Sequence, residues 1–421
     1  MTTTKNLSEK LFKPQFKYPE TSSLVNRTES LTNASKSQLD KAFSTHWYRV
    51  VDLLQWHWRG LSIIEIEAVL ASIAASNKER SNPELLDTVI GYQSGNWIYE
   101  FLQQSAEWQQ KAEELKKGED NNEKCFEAWL NASLFASLAS YPHYRNDDLA
   151  NQAQTFATRL YHEAMALSPY TIKDVEFKIE NKPIKAILHT PIKKGEQPKT
   201  FPIVLLCAGL TNLEIDYYNF FANYLAPNGF GLLTVDSPSI GTSKQFNLRQ
   251  NTSIIHQSVL EQIKTIPAID YANVFLMGVQ FGANIATRLA YLMPNKIRGL
   301  INIRPLIHQM YVETELQQKL PDMYKDLLAD RLGVCKISDH ALAAELKFLS
   351  LKEQCLITKP CHTPLLSIHF EGDIMSSEKE AKLLTSNKKN TYINVKKSDF
   401  KNNARACAAK EVINWMKVLL Q

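Results

Sequence analysis

An α/β fold, with a doubly wound and mostly parallel sheet behind an all-helical N-terminal domain, is predicted by three features of this 421-residue sequence. From Ser44 to Leu167 the apolar residues recur at spacings of three and four, the period of helices with one buried face. Beyond Ser168 short continuous apolar runs alternate with helical stretches, as parallel strands covered on both faces do. One of these runs ends in Gly278, and Gly282 opens an amphipathic helix, so a strand, a sharp turn and a helix follow one another directly. The length exceeds what one core ordinarily serves, and two domains are expected.

Residues 1–43 are polar and rich in Ser and Thr apart from Leu11–Pro19 (LFKPQFKYP), which reads as an extended arm docked by its aromatic residues. The helical domain spans 44–169, with helices predicted over His46–Trp58, Ile63–Ala74, Asn96–Leu102, Cys125–Leu130 and Leu149–Leu167. Six of the seven tryptophans lie in this half. Such rings fill a helical core or, as a lid would, face the second domain.

The α/β domain spans 170–421. Alternating residues over Thr171–Glu180 and Lys182–His189 predict an antiparallel edge hairpin turning at Asn181. Parallel strands follow at Ile203–Cys207, Gly231–Val235, Val274–Met277, Gly299–Ile303 and Pro364–His369. An insertion of helices, including Met323–Leu332, occupies 306–358, and the chain closes with a strand at Tyr392–Val395 and a helix at Ala404–Leu420.

Composition narrows the function. No apolar run reaches the ~18 residues of a membrane span, and the first ten residues lack the apolar core of a signal peptide. A cytoplasmic protein is expected. The cysteines at 125, 207, 335, 355, 361 and 407 form no paired motif, so neither a metal, a disulfide framework nor a cofactor is expected. Residues 1–170 carry a net charge of −4 and residues 171–421 one of +8. The lysines of the second half come in small pairs without interleaved aromatic residues, a pattern of solvated loops rather than of nucleic-acid binding.

Open α/β sheets bind ligands at the carboxyl ends of their strands. The turn between Gly278 and Gly282 has the form of the α/β-hydrolase elbow G-x-S-x-G, but its middle residue is Gln280, whose amide is no nucleophile. The loop Cys207–Asn212 stands where hydrolases build half of an oxyanion hole, so Leu210 and Phe281 are the candidate backbone donors. Asp236 and Ser237 open the next loop, with Asp236 read as a loop stabiliser and Ser237 and Ser239 as available hydroxyls. Arg304 and His308 follow the sixth strand, and Asp373 follows the seventh, the place of a triad acid. No histidine occurs after His369, so His308 is the best-placed base, ahead of His256 and of His369 within its strand. Cys207, closing an apolar strand, reads as packing rather than as a nucleophile.

Several longer stretches resemble the FrsA family of fermentation–respiration switch proteins, also described as esterases. They are residues 11–21, Asp87–Glu100, Tyr141–His143, Asp216–Tyr218, Phe281–Leu292 and Met323–Gly333, and the resemblance covers nearly the whole chain. It implies hydrolysis of small carboxylic esters. It also implies binding to the glucose-specific enzyme IIA of the phosphotransferase system, and thereby a link to the balance of fermentation and respiration. The family pattern implies Arg where this chain has Gln280, a fixed cation replaced by a neutral donor and acceptor. Two further readings stand beside the esterase: a non-catalytic binding protein on a hydrolase scaffold, and a cofactor-free lyase or decarboxylase using Arg304 and Asp236.

Overall fold

The computed structural model describes residues 46–421 except 119, 120, 198, 335, 374, 386, 388 and 397–402. The arm at 1–43 lies outside the described residues. Five helices come first: α1 (Leu53–Arg59), α2 (Ile63–Ala75), α3 (Trp97–Lys116), α4 (Asn122–Ala139) and α5 (Asp148–Leu167). The helix expected from His46 begins only at Leu53, because the chain before it is bonded elsewhere. The Asp87 carboxylate accepts the backbone N–H groups of Tyr48 (2.8 Å) and Arg49 (3.0 Å) and pairs with the Arg49 guanidinium (3.0 Å). The Asp52 side chain then accepts the Gln55 N–H and caps α1.

From Ala128 to Ala139 all residues of α4 but Asn131 are buried, as befits the central helix of the layer. Its Ser133 hydroxyl donates to Ala157 and that of Ser105 on α3 to Ala132, so neither buried hydroxyl is left unpaired. Trp56, Trp97 and Trp129 are buried in the helical layer. Trp58 stacks on Tyr224 of the other half at 5.2 Å. Both expected roles of the tryptophans are therefore filled, by different residues.

The sheet has β1 (Tyr170–Ile179), β2 (Lys182–Lys193), β3 (Phe201–Cys207), β4 (Gly231–Thr234), β5 (Ile269–Val279), β6 (Gly299–Ile303), β7 (Leu365–Phe370) and β8 (Thr391–Val395). Their spatial order is β1-β2-β4-β3-β5-β6-β7-β8. The β1–β2 hairpin turns at Glu180 and Asn181, both at positive φ, as a tight hairpin turn requires. β2 pairs antiparallel with both β1 and β4, and the remaining pairs are parallel. Because β3 has β4 on one side and β5 on the other, the strand order reverses there, and the carboxyl ends of β3 and β5 are where sheets of this kind take their ligands.

The crossovers include α6 (Ile254–Gln262) and α7 (Gly282–Leu292); α8 (Gln309–Val312), α9 (Thr314–Gln318), α10 (Asp322–Leu332) and α11 (Asp339–Lys347) lie between β6 and β7. α12 (Glu378–Lys382) and α13 (Ala404–Leu420) complete the chain. α10 buries Asp322, Lys325, Asp326, Asp330 and Arg331, charges that must find partners where they lie. Tyr48 of the helical half donates to Asp326 at 2.6 Å, and the Arg145 N–H donates to Asp330 at 2.9 Å. α10 is thus a polar key between the two halves, whose apolar residues form one continuous core. Among the described residues no helix is long and apolar enough to cross a membrane.

Candidate active site

β5 ends at Val279 and α7 begins at Gly282. Between them Gln280 is held at φ +51°, a left-handed conformation that costs a side-chain-bearing residue of order 1–3 kcal/mol and marks functional turns. Its N–H donates to Ile303 (2.8 Å), and its carbonyl accepts from Ala283 (3.0 Å) and Leu306 (3.2 Å). A Cβ on Gly282 would overlap the Cys207 carbonyl, and one on Gly278 would overlap the backbone of Ala283. The two glycines therefore serve close approach, as their spacing predicts.

The Gln280 side chain is nine-tenths buried, and its amide has no partner among the described residues. Its Oε1 and the Asn212 Oδ1 each lie 3.2 Å from where a Gly209 Cβ would stand. Asn212 Oδ1 is buried and unpaired. With the Gln55 amide turned to donate to Asp52, its oxygen accepts from Asn212 Nδ2 and Arg59 Nη2, both at 3.2 Å. That contact leaves the Asn212 oxygen facing Gly209 and Gln280.

No acceptor is found among the described residues for the backbone N–H of Leu210 or of Phe281, the two expected oxyanion donors. The carbonyls of the same loop are occupied. Arg331 donates to the carbonyl of Leu210 (3.1 Å), and Arg59 to that of Thr211 (3.4 Å). Arg331 also holds Ser239 (2.7 Å) and Pro142 (3.3 Å) by their carbonyls. Asp216 closes the loop: it accepts the Leu213 N–H (2.9 Å), the Ser137 hydroxyl (2.9 Å) and the Arg59 guanidinium (2.9 Å). Two buried arginines, one of them on the helical half, thus hold the loop by its oxygens and leave the Leu210 N–H for a ligand.

Asp373 has no hydrogen bond to a histidine among the described residues. Its Oδ2 is ion-paired with Arg304 Nε, and its Oδ1 accepts the N–H groups of Met375 (3.0 Å) and Ser376 (3.2 Å). Burial would raise its pKa, but Arg304 and the two N–H groups outweigh burial and hold the carboxyl below its usual range. Arg304 itself stands at φ +53°.

Asp236 accepts from the N–H of Glu214 (2.9 Å), and from the N–H (2.9 Å) and hydroxyl (3.3 Å) of Thr242. Burial nevertheless raises it to about 6. It stabilises its loop, as its sequence context predicts, and Gly241 is required where a Cβ would overlap its carboxylate. The Ser237 hydroxyl is buried without a partner among the described residues, while that of Ser239 lies 2.9 Å from the Phe246 carbonyl and 2.8 Å from that of Arg331.

Of the histidines, His256 is buried with Nε2 3.2 Å from the Leu206 carbonyl, and burial pulls it down to about 4. His369 is buried, with Nδ1 unpaired. His308 is only part-buried, and its Nδ1 lies 2.8 Å from the Ser350 hydroxyl. Burial and then the nearby Lys352 lower its pKa, so it is neutral at pH 7. The backbone N–H groups of Ile307, His308 and Gln309 converge on the Glu380 carboxylate and fix this turn. Burial pushes the Cys207 thiol far up, which leaves no thiolate at neutral pH.

The structure thus brings Gln280, Leu210 and Phe281 together, ties Arg304 to Asp373, and gives Asp236 to its own loop. Arg59, Asn212, Asp216, Arg331 and Ser350 carry no motif that assigns them here. Two of them, Asp216 and Arg331, do lie in stretches that carry the family resemblance.

The model of the esterase FrsA-like family matches residues 2–421. The chain is 46% identical over 383 residues to the esterase FrsA of Serratia proteamaculans, covering 90% of this chain and 91% of that protein. It is 45% identical over 383 residues to the esterase FrsA of Yersinia enterocolitica, with the same coverage. Among solved structures, 2,6-dihydroxy-pseudo-oxynicotine hydrolase superposes with a TM-score of 0.68 at 16% identity, over 87% of this chain and 95% of that one. AbyA5 gives 0.62 at 15% identity, over 78% and 90%. At such identities these two likenesses speak for the fold. The elbow, the arginine-held loop and the match along nearly the whole sequence agree: the chain belongs to the FrsA-like esterase family.

Proposed function

We propose that the protein hydrolyses small carboxylic esters, with water as the attacking group. The observation that carries this reading is the pair of unpaired N–H groups, Leu210 and Phe281, beside the unpaired Gln280 amide. An ester carbonyl placed there receives two backbone hydrogen bonds that strengthen as its oxygen becomes an oxyanion. Gln280 holds the ester or the water as neutral donor and acceptor. His308 is the base of this reading: Asp236 and Asp373 each already accept three hydrogen bonds, while His256 and His369 are buried. His308 is neutral at pH 7, with Nδ1 fixed by Ser350 and no partner of Nε2 among the described residues. Its Nε2 takes a proton from the water as the water oxygen bonds to the carbonyl carbon; the imidazolium then gives that proton to the leaving oxygen as the tetrahedral adduct collapses, so alcohol and acid are released and His308 is neutral again.

The test is turnover of 4-nitrophenyl acetate by the full chain at each purification step, with a fluorophosphonate serine probe on the same samples. Constant specific activity and no adduct are expected. A serine adduct that abolishes turnover would place the nucleophile elsewhere, and activity that purifies away would end the proposal.

The elbow's lack of an attacking atom favours a second reading, a binding protein on a hydrolase scaffold whose partner is unphosphorylated glucose-specific enzyme IIA. Calorimetry with both forms of that partner tests it, since phosphate added at a desolvated contact weakens binding. Equal affinities, or no binding, would remove it.

A further inference from the structure

A groove of about 660 Å³ runs between the two halves of the chain, and none of the residues assigned to the site at Gln280 lines it. α4 supplies one wall with Glu123, Phe126, Glu127 and Asn131; Tyr218 and Asn219, in the segment after β3, line it from the other half. Phe126 and Tyr218 meet there with ring centroids 5.2 Å apart. The Tyr218 hydroxyl is taken by Ser168 (2.9 Å), so its ring is what remains for a ligand. Glu123 and Glu127 lie one turn apart on α4, both exposed. Neither carboxylate has a hydrogen bond or ion pair among the described residues, and the same holds for the Asn131 and Asn219 amides. Among the described residues no lysine or arginine lines the groove. It therefore offers two uncompensated negative charges, aromatic surface, and amides that both give and accept hydrogen bonds.

Residues 10–19 (KLFKPQFKYP) are its chemical complement. Lys10, Lys13 and Lys17 meet no acidic residue within the stretch, Phe12, Phe16 and Tyr18 supply rings, and Pro14 and Pro19 disfavour a helix. An extended chain leaves its own N–H and C=O groups open, and these suit the amides of Asn131 and Asn219. At ~3.1 Å per residue, Phe12 to Lys17 covers roughly 15 Å, and α4 from Glu123 to Leu134, at ~1.5 Å per residue, covers about the same. Residues 20–45 join the stretch to His46 and can span up to ~85 Å. Covalent reach thus excludes no face of the molecule, and the chemistry of the groove makes the choice.

We infer that residues 10–19 of this same chain bind in the groove between α4 and the segment after β3, with Lys13 and Lys17 toward Glu123 and Glu127 and the rings of Phe12 and Phe16 against Phe126 and Tyr218. The arm thereby straps the helical half to the α/β half. Burial of the rings carries most of the binding and the carboxylates orient it, because ion pairs at a surface contribute little. A segment on the same chain is present at an effective concentration of order millimolar, so even a weak site holds it. This inference depends on neither reading of the site at Gln280.

The test uses the full chain with the photoreactive p-benzoylphenylalanine in place of Phe16, irradiated in dilute solution and digested for mass spectrometry. Cross-links within one chain to residues 123–134 or 218–223 are expected. Reversing the groove (Glu123→Lys with Glu127→Lys) should lower their yield about fivefold, and reversing the arm (Lys13→Glu with Lys17→Glu) should do the same. The two reversals together should restore most of the yield, a rescue that a general loss of stability does not produce. A free peptide of residues 10–19 at millimolar concentration should compete with the tethered arm and lower the yield. Cross-links elsewhere on the chain, none at all, or a yield indifferent to both reversals would overturn the inference. Cross-links between two chains, rising with protein concentration, would give the groove to a second copy and overturn it as well. Equal melting temperatures identify the variants fit for comparison, and Glu127→Gln serves if the doubly reversed groove does not fold.

Discussion

The Arg331 guanidinium donates to the carbonyl oxygen of Leu210 across 3.1 Å, and this contact turns the loop after β3 so that the Leu210 N–H is left without an acceptor. The same guanidinium holds the Pro142 carbonyl of the helical half. The orientation of a candidate oxyanion donor thus depends on packing between the two halves of the chain.

Replacing Arg331 with Lys keeps the charge but loses the fork. Ester turnover should fall about 30-fold in kcat with KM nearly constant, the scale of one misplaced oxyanion donor, ~2 kcal/mol. A merely structural role would lower stability and leave the kcat of the folded fraction unchanged. Steady-state kinetics together with urea unfolding separate the two.

Gln280→Ala removes a positioning contact and no attacking atom. Its activity on a short-chain aryl ester should fall by no more than about tenfold, ~1.4 kcal/mol. Gln280→Ser should gain little, because a hydroxyl on the elbow still lacks the late-chain histidine that takes its proton in a triad of this fold. A loss of several thousandfold in Gln280→Ala would assign to the amide a direct chemical step.

The folded-state pKa of His308 lies below its ordinary value of 6.5, so its base form is already dominant at neutral pH. The rate should rise with pH on a limb whose midpoint lies below 6.5, and be level from there to pH 8. His308→Gln should abolish that limb along with most of the activity. Ser350→Ala, which frees Nδ1, should move the midpoint while leaving a limb. A pH–rate profile of the three proteins checks this, and an unchanged limb in His308→Gln would exclude His308 as the base.

Gly282→Ala should not yield soluble folded protein, since its Cβ would overlap the Cys207 carbonyl where β3 and α7 meet. Gly229→Ala is the comparison. Nothing lies within 4 Å of its added Cβ, and only the positive φ of 79° opposes it, a cost of about 1 kcal/mol. Expression and thermal melts of both variants provide the measurement.

Much of the sheet was legible because a strand buried on both faces must be apolar throughout, and the runs from Ile203 to His369 have that composition. The elbow was legible for a related reason: Gly278 and Gly282 stand where no Cβ fits, and glycine is visible in a sequence. The helix expected from His46 was misread because its apolar spacing is helical, while the Asp87 carboxylate, almost forty residues away, takes the N–H groups of Tyr48 and Arg49. Local periodicity cannot report a competitor so distant.

By itself, then, the sequence determined the α/β class, the strand–turn–helix at Gln280, the absence of a hydroxyl there and the family. Only the tertiary structure decided the partners of the charged residues. It gave Asp373 to Arg304, Asp216 to Arg59, and the carbonyls of Thr211 and Leu210 to Arg59 and Arg331. The reason is physical: apolar burial repeats with the period of the local backbone and so is written along the chain, whereas a buried charge needs a particular counter-group that any distant segment can supply.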